Sequence, residues 1–138
     1  MVVDKNGWER FKGEPVTAFR DRLHATIGKQ KKILINRNLY FAWGSPEAVY
    51  LFFNRRLKQI ALMPADAKDT SAFPVRSNGS SGYQILAVPF CQHYNIKIQY
   101  THKFIRPEIT DDGQLILDLT NTTRVSRRLR TKPGRNEV

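Results

Sequence analysis

Apolar and polar residues alternate along much of this chain with a period of two, the pattern of strands that bury one face. Leu23, Ala25 and Ile27 alternate with Arg22, His24 and Thr26, and Gly28-Lys29-Gln30 then turns the chain into Ile33-Leu34-Ile35, a β-favouring run. Asn36 is placed to cap a short helix whose Leu39, Ala42 and Trp43 share one face, and Gly44 is placed to end it. Residues 48–53 read as the next strand, Asn54-Arg55-Arg56 as a basic turn, and residues 60–64 as a return strand. The order is β-β-α-β-β.

A small, polar stretch, residues 65–72, reads as a linker, after which the order repeats. Phe73 and Val75 begin a strand, residues 78–82 form a flexible loop, and residues 83–88 alternate again. Pro89 opens a second short helix that runs to Tyr94. A hairpin follows, from residues 104–109 through Asp111-Asp112-Gly113 to Leu115-Ile116-Leu117. Lys32-Ile33-Leu34-Ile35-Asn36 is thus echoed by Ile85-Leu86-Ala87-Val88-Pro89. Such a unit exposes apolar strand faces that it cannot bury alone, and a second copy in the chain supplies the missing half. The expected fold is mainly β with two short helices, of the α+β class. Its divisions are an arm at 1–19 containing Trp8, Phe11 and Pro15, a first repeat at 20–64, the linker at 65–72, a second repeat at 73–119 and a tail at 120–138.

Composition brings in a partner. The 138 residues are 41% hydrophobic, which suits one folded domain, but the formal net charge is +11. A surplus of that size attracts polyanions over a long range, so nucleic acid is the first ligand to consider. Arg124, Arg127, Arg128, Arg130, Lys132 and Arg135 crowd a tail with few apolar residues, expected to be disordered when free. Cys91 is the only cysteine, which excludes an intramolecular disulfide and a cysteine-based zinc site. The N-terminal residues lack the apolar core of a signal peptide and no apolar run approaches membrane-spanning length, so a cytoplasmic location without a membrane partner is expected.

The β-β-α-β-β order, with Ile33-Leu34-Ile35-Asn36 and Leu86-Ala87-Val88-Pro89 each before a short helix and Trp43-Gly44 at a helix end, resembles the swapped-hairpin fold of the AbrB, MazE and SpoVT transcription regulators. The second copy departs from the helix-end pattern, reading Asn95-Ile96. Members of that family pair two chains by exchanging hairpins, so the resemblance implies an intramolecular pseudo-dimer of two such units, monomeric or associating further as a homodimer. It implies binding of double-stranded DNA by a transcription regulator or chromosome-associated, nucleoid-located protein, without a cofactor. The family's DNA-contacting positions fall on Arg20, Arg22, Lys29, Lys31, Lys32 and Arg37 in the first copy, and on Arg76, Asn78, Gln84 and His93 in the less basic second copy. Arg124, Arg127, Arg128 and Arg130 of the tail would add phosphate contacts.

Two other readings stay open. One is an antitoxin-type interaction module whose basic tail folds onto a protein partner. The other is a binder of single strands or RNA that stacks bases on Tyr50, Phe52 and Phe53, although strands of this kind more often bury such rings. Catalysis finds little footing. His24, His93 and His102 lack metal-ligand spacing, Asp111-Asp112-Gly113 is explained by a turn, and no Lys-Ser or Lys-Thr follows the Gly-Ser loop at 78–82.

Overall fold

The computed structural model describes residues 7–10 and 23–125. Strands β1 (Ala25–Ile27) and β2 (Lys32–Ile35) lead into helix α1 (Arg37–Trp43), followed by the hairpin β3 (Ala48–Asn54) and β4 (Gln59–Pro64). The second half runs through β5 (Phe73–Pro74), β6 (Arg76–Ser77) and β7 (Tyr83–Leu86) to helix α2 (Val88–His93). It ends with β8 (His102–Phe104), β9 (Glu108–Ile109), β10 (Leu115–Asp118) and β11 (Thr122–Arg124). The protein is therefore mainly β with two short helices, as the alternation predicts.

All strand pairs are antiparallel and fall into two sheets, ordered β11-β8-β1-β2-β7-β6 and β5-β3-β4-β10-β9. Each sheet is joined at its middle by one strand from either half of the chain. In the six-stranded sheet β2 pairs with β7, setting Ile33 opposite Ile85, and in the five-stranded sheet β4 pairs with β10, setting Leu62 opposite Leu115. The inward residues Ile27, Ile33, Ile35 and Ile85 pack in one cluster with Val49, Ile60, Leu62, Leu115 and Leu117, to which α1 adds Leu39 and Trp43 and α2 adds Phe90 and Cys91. The Trp43 indole N–H donates to the Gly113 carbonyl at 2.8 Å, tying the first helix to the last hairpin turn.

Several boundaries are set by backbone chemistry that alternation does not report. Asn36 caps α1 by accepting from the Leu39 N–H at 3.0 Å, and Gly44 ends the helix at φ 106°, both as expected. The second helix starts earlier than the sequence suggests. Ile85 and Ala87 are fully buried while Leu86 and Val88 are exposed, so the residues equivalent to Ile33 and Ile35 are Ile85 and Ala87, one position before the Leu86-Ala87-Val88-Pro89 alignment. Residues 104–109 are not one strand: β8 belongs to the six-stranded sheet and β9 to the five-stranded one. Pro107, with no N–H for a ladder, stands at the crossing. The chain crosses between sheets again from β5 to β6, where the Val75 N–H leaves both ladders to bond the Glu47 carbonyl at 2.9 Å.

Two further expectations are corrected. Residues 78–82 form a compact turn around a 3-10 segment, Gly79–Ser81, closed by the Asn78 N–H on the Gly82 carbonyl at 2.7 Å. The tail assigned to 120–138 begins too early, because Thr122–Arg124 is a strand paired with β8. Trp8 stands 73% exposed.

Gly82 has φ 117°, and a Cβ there would lie 2.2 Å from the Ile35 carbonyl oxygen. Substitution Gly82→Ala is expected to cost about 3 kcal/mol or more through positive-φ strain and a backbone collision, read as a fall in the thermal midpoint. Residues 23–64 expressed alone lack β7 and β10, the second-half partners of β2 and β4, and should show no cooperative unfolding by circular dichroism. A sharp transition in that fragment would mean the half folds by itself.

Candidate nucleic-acid interface

The alternation that buries Ala25, Ile27, Ile33, Ile35, Ile85 and Phe104 turns the intervening residues of the six-stranded sheet outward. One row of directly opposed residues crosses the whole sheet in the order Thr123, Lys103, Thr26, Leu34, Gln84, Arg76. Next to it Lys32 stands opposite Leu86. The six strands carry Lys32, Arg76, Lys103 and Arg124 and no carboxylate. The five-stranded sheet is the reverse: its strands carry Glu108 and Asp118 and neither lysine nor arginine. The Thr120 hydroxyl bonds Asp118 and holds its carboxyl below the usual carboxylate range, with the Thr120 N–H and Gln59 assisting against partial burial.

An open groove of about 680 Å³ runs over β1 and β2 on the basic side. Lys29, Lys32 and Arg124 supply its charge, and Gln30, Gln99 and Thr101 supply neutral hydrogen-bonding groups. The Arg124 guanidinium lies over the Tyr100 ring, 4.6 Å from its centroid, and Tyr100 stacks on His102 at 4.3 Å. His102 Nδ1 and the Thr122 hydroxyl share a 2.9 Å hydrogen bond that fixes the imidazole beneath this stack.

The turn between β1 and β2 is held by the Lys31 N–H on the Gly28 carbonyl at 2.8 Å, with Lys31 at φ 60° in the left-handed position that a three-residue hairpin loop requires. The Lys31 carbonyl in turn accepts the Ala87 N–H at 2.9 Å, docking the turn on the start of α2. Burial pushes the Cys91 thiol up, and the Lys31 charge partly offsets that rise.

The residues selected from the sequence are only partly brought together. Lys29 and Lys32 line the groove, and Arg76 shares the outward row. Arg37 is exposed on the first turn of α1, outside the groove lining. Asn78 is half-buried, its N–H engaged by Gly82, and His93 is exposed in the last turn of α2. Arg124 belongs to a strand instead of a tail, while Arg20, Arg22, Arg127, Arg128 and Arg130 lie outside the described residues. Lys103 was missed, although Phe104 pointing inward leaves it pointing outward. Of the strand aromatics, Phe53 packs inward against Phe90 and Tyr94, and Phe52 is half-exposed on the acidic sheet.

Among the described residues no group of three or more His, Cys, Asp and Glu side chains is placed to hold a metal ion, and no helix is long and apolar enough to cross a membrane. No protein family, curated protein or solved structure matches the chain.

His24 immediately precedes β1, its pKa lowered first by desolvation and then by the Lys103 ammonium. A depressed histidine contributes stability that is complete above its unfolded value of about 6.5 and is lost as pH falls through its lower folded value. Thermal stability should accordingly decline on acidification through that window. In Lys103→Ala the imidazole titration, followed by NMR, should move up toward its ordinary value without fully reaching it.

Proposed function

We propose that this protein binds double-stranded DNA through the outer face of its six-stranded sheet, as a nucleoid-located transcription regulator or chromosome-associated protein. The observation that carries the reading is the separation of charge between the sheets: six strands with four cationic side chains and no carboxylate, backed by five strands with the opposite bias. A polyanion approaching the first face meets attraction without local repulsion, and guanidinium and ammonium groups reach phosphates from it.

The AbrB-like reading, two swapped-hairpin units fused into a pseudo-dimer, is supported by the way β2 meets β7 and β4 meets β10, each half completing the other's sheet. Linkage in one chain replaces a concentration-dependent association with an intramolecular one. A second reading, single-strand binding, draws support from the Tyr100–His102 stack in the groove region, where a base would find an aromatic surface beside Arg124.

Duplex DNA, single-stranded DNA and RNA titrated in parallel at several salt concentrations test these readings. The duplex should bind tightest, with log affinity falling steeply against log salt. Lys103→Glu and Arg76→Glu should each flatten that slope by about 0.9 for every phosphate left unneutralised, whereas Lys68→Glu, in the linker, should do much less. Equal effects from all three reversals would reduce the interaction to diffuse attraction, and tighter binding of single strands would favour the aromatic stack.

A further inference from the structure

We propose that the central ribbon of this face, β2 with β7, reads base sequence in the major groove of duplex DNA, with Gln84 and Lys32 as the specificity-determining side chains and Leu34, opposite Gln84, packing against a thymine methyl group. The inference rests on the DNA-binding reading above and adds to it which residues discriminate.

The major groove of B-form DNA admits a two-stranded β-ribbon, and the middle of the six-stranded sheet offers one. Its outward residues form two cross-strand pairs, Leu34 with Gln84 and Lys32 with Leu86, each combining one polar and one aliphatic side chain. Leu86 is 43% exposed and Leu34 lines the groove, so aliphatic surface is presented to solvent in the middle of a cationic face. Nonspecific phosphate binding gives no use to that arrangement. An A·T pair displays in the major groove the adenine N6 and N7 edge that a Gln amide engages bidentately, beside a thymine methyl that an aliphatic side chain covers. Opposed Cβ atoms on paired strands stand about 5 Å apart, close enough for Gln84 and Leu34 to address the two sides of one pair.

Spacing agrees in both directions. Outward residues on one strand recur at about 6.8 Å, which is two rises of about 3.4 Å along duplex DNA, so the Lys32 pair falls two base pairs from the Gln84 pair. A lysine there is suited to the O6 and N7 acceptors of guanine. Across the sheet, Lys103 on β8 and Arg76 on β6 are four strand spacings apart, roughly 19 Å. That places them outside the groove's mouth of about 12 Å, over the phosphate walls.

Selection of the full chain on a randomised duplex library provides the test. The wild-type protein should enrich an A·T pair and a G·C pair two base pairs apart, each preferred about tenfold over its alternatives. Gln84→Glu, an exposed-face change that preserves shape, should shift the first preference from adenine to cytosine, and Lys32→Gln should shift the second from guanine to adenine. Lys103→Glu should weaken all sequences alike and leave both preferences intact. Double-stranded RNA of the selected sequence should bind without preference, because its major groove is too deep and narrow to be read. Salt-dependent duplex binding with no enriched sequence, or preferences unmoved by Gln84→Glu and Lys32→Gln, would overturn base reading while leaving DNA binding in place. Absence of any duplex affinity in the wild type would remove both.

Discussion

The pairing of β2 with β7 is the contact from which the rest of the molecule takes its arrangement. It brings Ile33 opposite Ile85 across the middle of the larger sheet and, with β4 against β10, divides one core between two stretches of chain. Its register matters as much as its existence. Side chains alternate faces with a period of two, so a slip of one residue on β2 would turn Ile33 and Ile35 outward and bring Lys32 and Leu34 into the core. The same register that buries the isoleucines therefore presents Lys32, Leu34 and Gln84 together. Core and candidate interface are two faces of a single strand pair.

Within the strands, charge is divided between the sheets rather than between the halves, although the β3–β4 turn adds Arg55, Arg56 and Lys58 at one end of the five-stranded sheet. The basic face takes Lys29 and Lys32 from the first half and Arg76, Lys103 and Arg124 from the second. Glu108 and Asp118 lie on strands of the other sheet. This follows from the two crossings near Val75 and Pro107, which let short segments of the second half contribute to both sheets.

Much of the scaffold was legible in the sequence because its signals are local. Asn36 and Gly44 bound a helix by cap chemistry, Asp111-Asp112-Gly113 makes its turn by backbone conformation, and the isoleucine alternation marks β2. The crossings were less legible: Pro107 marks a break within residues 104–109, but only tertiary pairing decides which sheet each end joins. The site suffered likewise. Lys29, Lys32 and Arg76 were found because they flank recognisable strands, but Lys103 depends on a three-residue strand too short to show a period, and Arg124 sits in a run of arginines that masks its pairing with β8. Lys31 was selected for its charge, whereas its carbonyl and positive φ give it a structural duty in the turn.

The long sequence separation of the β2–β7 pair has a consequence during synthesis. About fifty residues separate the end of β2 from the end of β7, so a ribosome adding 5 to 20 residues per second leaves the first half waiting for roughly 3 to 10 seconds with one edge of an apolar strand open. An edge carrying Ile33-Leu34-Ile35 is a template for pairing with a neighbouring nascent chain. Lys31 and Lys32 stand directly before it, where like charges on adjacent chains repel and discourage such contacts. These lysines, one just before β2 and one at its first position, thus guard the open edge before β7 exists.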